Sequence, residues 1–308
     1  MNDTMSPIPV FIGNFRSGTT LLANLLGFHE QISPWFETKG LCELLRWQRV
    51  LKDPINGSFE SSLIQPKHPI GFDADVVSFR FESDLRETLD RISGAKMSGK
   101  GSHESYPVGH DRLLYGLEEA LDLLSQWRSV VGKCQSHEVL AKANGDLIKG
   151  LGMLHLGYDQ KLFWVNKTPE ITRFGEELES ALGPTKRILM LRDGRDVIQS
   201  ASKLGWADPS EIGAWWKGMI LESRGGGSTS EDLYLEIRYE DLLKDPVGGL
   251  NQVLHFLEVE ASGSFMVEQY RQLVGLSDKP PRSASEDGRN EFLPFLDVAF
   301  LQELGYPL

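Results

Sequence analysis

Between residues 13 and 20 the chain reads Gly13-Asn-Phe-Arg-Ser-Gly18-Thr19-Thr20, two glycines that enclose a cation and lead into hydroxyls. Glycines let the backbone approach an anion, the successive N–H groups form a concave nest, and a helix starting near Thr19 adds its positive end. Ser17, Thr19 and Thr20 can donate further hydrogen bonds, and Arg16 supplies charge from inside the loop. The G-x-x-x-x-G frame is that of a phosphate-binding loop, but a nucleotide triphosphatase carries Lys-Ser/Thr directly after the second glycine. Thr19-Thr20 stands there instead. The loop therefore suits a single terminal phosphate better than a metal-bound triphosphate. An ordinary strand–turn–helix corner is the plain alternative.

A second anion site is readable in Arg187-Ile-Leu-Met-Leu-Arg192-Asp-Gly-Arg-Asp-Val-Ile-Gln-Ser200. A buried strand would deliver Arg192 at its C-terminal end, where ligands of open α/β sheets bind. Ser200 follows about two helical turns on, roughly 12 Å along the axis. An Arg fork plus a hydroxyl can clamp a dianionic phosphate. A helix start with surface ion pairs describes the same residues equally well. Two further groups have the right chemistry for a transfer reaction. Glu37, in Trp35-Phe36-Glu37-Thr38-Lys39, is flanked by aromatics able to desolvate it and raise its pKa toward the range of a general base. Lys167, in Trp164-Val-Asn-Lys-Thr-Pro169, follows a buried strand and suits a charge held near a leaving oxygen. A surface Glu beside Lys39 and a surface Lys are the alternatives.

Phe11-Ile-Gly-Asn-Phe-Arg-Ser-Gly-Thr-Thr-Leu-Leu22 resembles the 5′-phosphosulfate loop of PAPS-dependent sulfotransferases, nearest to the Golgi and bacterial branches with their Arg-Ser-Gly-Thr-Thr. The resemblance implies PAPS (3′-phosphoadenosine 5′-phosphosulfate) as donor and PAP as product. Arg16, Ser17, Gly18, Thr19 and Thr20 would grip the 5′-phosphate that carries the sulfuryl group, with Arg16 also in the catalytic set. Arg192 and Ser200 resemble the family's 3′-phosphate site. Ile237-Arg-Tyr-Glu-Asp-Leu-Leu243 resembles its Tyr-Glu-Asp segment. Residues 277–289, with Lys279, Arg282, Ser283 and Arg289, resemble its late nucleotide-covering loop, although Asn290 stands where an aromatic is frequent. A solvated loop is the alternative for that stretch. In the tyrosylprotein sulfotransferases a Glu-Thr at this spacing holds the base, which the resemblance carries to Glu37. A comparable Lys-Thr/Asp-Pro segment assists the leaving group, which it carries to Lys167. The cytosolic branch uses a His instead, so His68, His103 and His110 stay open as bases. Residues 40–160 are unmatched and are expected to be an acceptor-side or lid insertion.

These residues need a scaffold. Pro9-Val-Phe-Ile-Gly13, Lys161-Leu-Phe-Trp-Val165, Arg187-Ile-Leu-Met-Leu191 and Leu233-Tyr-Leu-Glu-Ile237 are short apolar runs expected of strands in a parallel sheet. Helical spacing occupies 21–26, 112–132, 172–182, 195–203 and 211–224, with a further helix over 138–157 interrupted by Gly145, Gly150 and Gly152. Residues 52–110, rich in Gly, Ser, Pro and charge, read as irregular. The alternation predicts an α/β fold, P-loop-like and three-layered, with a central, mainly parallel sheet in one domain spanning 1–308.

The chain of 308 residues has 32 Lys+Arg against 44 Asp+Glu, a net charge of −12 that argues against a nucleic-acid binder. Any anion site must therefore concentrate its cations locally. Two cysteines, Cys42 and Cys134, form no disulfide framework. With no membrane-length apolar run and no signal-peptide pattern, a cytoplasmic protein without stable membrane insertion is expected. No HExxH, CxxC or calcium-loop spacing is present, so no catalytic metal is expected. The expected reaction is metal-free in-line sulfuryl transfer to a hydroxyl of a small-molecule or lipid acceptor. Trp47, Phe59, Phe72, Phe79, Phe81, Tyr106 and Trp127 are candidates to line the acceptor pocket, core packing being the other explanation. A P-loop kinase using ATP and magnesium, or a non-catalytic nucleotide-binding protein, is the alternative.

Overall fold

The computed structural model describes residues 8–35, 37–52, 73–92, 115–132, 136–260, 262–274 and 290–308. Its apolar runs become the strands β1 (Val10–Gly13), β2 (Ile32–Trp35), β3 (Phe163–Lys167), β4 (Lys186–Leu191) and β5 (Tyr234–Arg238). They pair in the order β2-β3-β1-β4-β5, every pair parallel. The fold is α/β with a central five-stranded sheet and helices on its faces.

Because both faces of such a sheet are covered, its strands carry apolar residues on both. Val10, Ile12, Val165, Ile188, Met190 and Ile237 pack in one cluster with residues of α1 (Thr19–Leu26), α10 (Pro246–Phe256) and α11 (Gly263–Val274). Phe11 and Trp164 join a second cluster built from α2 (Lys39–Lys52), α3 (Ala74–Ile92), α4 (Leu117–Val131), α5 (His137–Asp159) and α6 (Gly175–Leu182). Leu189 and Leu191 join a third with α7 (Gly194–Ser202), α8 (Pro209–Gly225) and α12 (Val298–Glu303). The short α9 (Tyr239–Lys244) follows β5 directly.

Three elements depart from the sequence reading. The stretch expected to be irregular contains α3, whose Ala74, Val77, Phe81, Leu85 and Thr88 are buried at helical spacing. Its polar and charged outer face had hidden that stripe. Helix α5 runs unbroken through its glycines, because two of them are sites of close approach. A Cβ at Gly145 would overlap the Ala181 carbonyl, and one at Gly152 the Trp164 indole. β2, with Pro34 in its middle, is an edge strand, where the missing N–H removes least from the ladder. Among the described residues no helix is long and apolar enough to cross a membrane.

Candidate functional site

The loop between β1 and α1 is held in a shape that most residues avoid. Asn14, Arg16 and Gly18 have φ of 95°, 53° and 88°, the left-handed region that only Gly and, less readily, Asn adopt easily. Asn14 is stabilised there by its side-chain amide, which donates to the Met190 carbonyl at 2.8 Å. Its own N–H donates to the Pro169 carbonyl at 2.7 Å. Ser17 is fully buried and its hydroxyl donates to the Phe15 carbonyl at 3.0 Å, so it braces the loop from within. A side chain at Gly18 would overlap the Tyr239 ring, and one at Gly13 would overlap Thr172. Gly18 caps α1 without a side chain, and the first turn holds no acidic residue. The unsatisfied N–H groups and positive end of α1, where Thr19 and Thr20 lie, thus meet no anion of its own first turn.

Across the sheet, β4 delivers Arg192 and α7 presents Ser200. Arg16 donates to Ser200 Oγ from Nε at 2.9 Å and from Nη2 at 2.8 Å. Arg192 Nη1 donates to the Arg16 carbonyl at 2.8 Å, and its guanidinium lies 4.7 Å from the centre of the Tyr239 ring. Burial pushes the Tyr239 hydroxyl above its ordinary pKa, against the lowering pull of Arg192. Arg192 Nε is buried with no hydrogen-bond partner among the described residues. Trp206 stands beside the loop, 6.2 Å from Phe15 and 5.6 Å from the Arg16 guanidinium. Two Arg forks, an uncapped helix end, an orphaned buried N–H and two glycines with no room for a Cβ fit a ligand that carries two phosphate groups.

A second cluster occupies the C-terminal ends of β2 and β3. Lys167 Nζ is 2.9 Å from Glu37 Oε1; the Lys167 side chain is fully buried and that of Glu37 is 18 % exposed. Thr38 N–H donates to Thr168 Oγ1 at 3.2 Å, clipping the two segments together beside that pair. Helix α2, which begins just after Glu37, is held to the segment beyond Lys167 and to α8 by buried and half-buried charges. Arg46 bridges Glu43 and Glu170, while Arg49 bridges Glu177 and Glu222. Tyr115 closes this corner; its hydroxyl lies against Thr38 and Trp35, and burial raises its pKa. The arrangement places a carboxylate and an ammonium side by side at one sheet edge.

The structure therefore joins Arg16 to Ser200 and to Arg192, and Glu37 to Lys167. Arg282, Arg289 and the rest of 277–289 lie outside the described residues, as do His68, His103 and His110. Of the aromatics, Trp47, Phe81 and Trp127 are core residues and Phe79 is 72 % exposed. Phe59, Phe72 and Tyr106 lie outside the described residues. The sequence reading did not single out Tyr239 as a site residue. Its signal was its place, directly after β5 at the edge where Arg192 also sits.

Residues 9–263 match the protein family described as "Sulfotransferase family". Among solved structures, the sulfotransferase domain from the Synechococcus PCC 7002 olefin synthase has a TM-score of 0.52 at 17 % identity, covering 99 % of this chain and 98 % of that one. The sulfotransferase domain from the curacin biosynthetic pathway has a TM-score of 0.50 at 16 % identity, covering 99 % of each. At this identity the likeness is one of fold. No match to a curated protein sequence was found.

Proposed function

The chain belongs to the sulfotransferase family, a family of sulfuryl transfer, and from that premise we propose that it moves the sulfuryl group of PAPS to a hydroxyl of a small-molecule or lipid acceptor. The observation that carries the reading is the joining of two anion half-sites through Arg16, which lies in the loop and bonds Ser200 opposite it. A donor with phosphates at both 5′ and 3′ positions matches that pair; ATP, with its phosphates on one side only, does not. When bound, PAPS supplies the sulfuryl group and the phosphate leaving group.

The chain's own residues have separable tasks. The backbone nest over Gly13–Gly18 and the start of α1 hold the 5′-phosphate, and Arg192 with Ser200 holds the 3′-phosphate. Arg16 keeps positive charge between them. Glu37 takes the proton that the acceptor hydroxyl loses as its oxygen bonds to sulfur. Lys167 holds the negative charge that gathers on the phosphate oxygen as its bond to sulfur breaks. Catalysis here is positioning and electrostatics, and with Arg16 and Lys167 as the cations it requires no metal.

Calorimetry with adenosine 3′,5′-bisphosphate in EDTA, beside ATP with magnesium, tests the donor, and transfer from labelled PAPS to a panel of hydroxylated acceptors tests turnover. Bisphosphate binding and labelled product are expected. Preference for ATP with magnesium would establish the kinase alternative, and binding without turnover the non-catalytic one.

A further inference from the structure

The peptide bond that follows Arg192 is held by side chains at both of its polar groups. Trp216 Nε1 donates to the Arg192 carbonyl at 3.1 Å, and the Asp193 N–H donates to Glu240 Oε1 at 3.0 Å. This peptide lies in the gap between the end of β4 at Leu191 and the start of α7 at Gly194. Its plane limits the rotation about Arg192 and so the direction in which the guanidinium leaves the backbone. Glu240 thus acts on Arg192 through the backbone, while its neighbour Tyr239 lies under the guanidinium itself.

Glu240 is itself held from the far end of the chain. Its Oε2 accepts from the Tyr306 hydroxyl at 3.1 Å, and Tyr306 is 3 % exposed. The Arg238 guanidinium lies 4.3 Å from the centre of the Tyr306 ring. The next carbonyl, that of Pro307, accepts from Arg195 Nη2 at 2.6 Å, and Arg195 forks onto Asp193. Burial raises the Tyr306 pKa, with the Glu240 carboxylate adding to it, so the phenol stays the donor of this hydrogen bond.

We propose that Glu240 and Tyr306 are positioning residues that aim Arg192 and thereby set the preference of its half-site for a 3′-phosphate, without touching the nucleotide. The inference rests on the reading of Arg192 and Ser200 as that half-site. A guanidinium–phosphate contact has its full strength only in line, and side chains that hold a site act over displacements of about 0.5 Å. Loosening the 192–193 peptide therefore weakens recognition of the 3′-phosphate and leaves the 5′-phosphate nest as it is.

The test is calorimetry on the full chain with adenosine 3′,5′-bisphosphate and with adenosine 5′-monophosphate, for wild type, Tyr306→Phe, Glu240→Gln and Lys217→Met. Lys217 pairs with Asp297 at 2.6 Å, so its variant loosens the same C-terminal segment without reaching Glu240. Tyr306→Phe is expected to lose about three- to tenfold in bisphosphate affinity and less than about twofold for the monophosphate, less than a whole hydrogen bond to a charged group because the lost bond reaches the nucleotide only through Glu240 and the peptide. Glu240→Gln, which exchanges the acceptor of Tyr306 for a donor, shifts the ratio the same way, and Lys217→Met leaves it unchanged. Equal weakening of both nucleotides, an unmoved ratio in Tyr306→Phe, or the same shift in Lys217→Met overturns the relay. A wild type with no preference for the bisphosphate removes the half-site reading, and the relay with it.

Discussion

Arg16 and Ser200, 184 positions apart in the chain, are joined by two hydrogen bonds from one guanidinium to one hydroxyl. The β1–α1 loop and the last turn of α7 are therefore one unit in this structure, and anything that draws on Ser200 also moves the cation of the loop. Groups in direct contact do not act additively. The single variants Arg16→Ala and Ser200→Ala should each weaken bisphosphate binding, and the double variant should fall short of their sum by about 0.5–3 kcal/mol. A double-mutant cycle by calorimetry measures this. Strict additivity would mean that the contact has no part in binding.

Glu37→Gln keeps the size of the side chain and its hydrogen bonding but removes its proton affinity. With Glu37 as base, kcat should fall by about 10²–10⁴, the usual share of general base catalysis, while donor binding stays nearly unchanged. Phenols of low pKa should partly rescue the variant, since less proton transfer is then required. Transfer assays over a graded phenol series decide the point. A variant within about threefold of wild type on the least acidic phenol would shift attention to His68, His103 and His110.

Gly18→Ala should damage both stability and binding. Gly18 sits at φ 88°, a conformation that costs an L-residue about 1–2 kcal/mol. The new methyl also meets the Tyr239 ring on which Arg192 rests. Urea denaturation should show the loss of stability. Adding Tyr239→Ala should relieve the overlap while leaving the backbone strain, so recovery is partial; full recovery would mean the ring alone is at fault.

Cys42 is buried, and burial, reinforced by nearby Glu170, pushes its thiol pKa well up. The thiolate is the reactive form. Iodoacetamide should leave the Cys42 peptide unlabelled in native protein and label it after denaturation, as read by mass spectrometry. Native labelling at the pace of a free thiol would contradict the packing of α2.

Strands β1, β3 and β4 were legible because burial on both faces writes them as short apolar runs, and the edge strand β5, with only Ile237 buried, through Tyr234, Leu235 and Ile237 around Glu236. β2 was not, since Ser33 and Pro34 interrupt its run and its partner β3 lies 131 residues away in register (Ile32 with Phe163). Helix α3 was hidden by its charged outer face. In the site, loop chemistry singled out Arg16, and the order of motifs singled out Ser200 and Arg192. Their joining was not legible, because it arises from the sheet order β1-β4 and not from local spacing. Nor was the part of Tyr239, which the Tyr-Glu-Asp resemblance marked but whose filling of the space that Gly18 leaves it did not show, nor Tyr306, whose only mark is a hydroxyl.

Helix α5 carries four glycines among its 23 residues, each about 1 kcal/mol worse than alanine in a helix. Two of them let the helix settle onto Ala181 and Trp164, both of which follow it in the sequence. These two close approaches thus use partners that a ribosome has not yet made when α5 emerges, while Asn144 already finds Leu44, Gln48 and Trp127. On a growing chain α5 can pack on α2 and α4 first, but it reaches its final depth only when β3 and α6 have followed it out. Until then the wall that its His155 forms against Trp35 is incomplete, so the sheet edge that carries Glu37 is set later than the helices that precede α5.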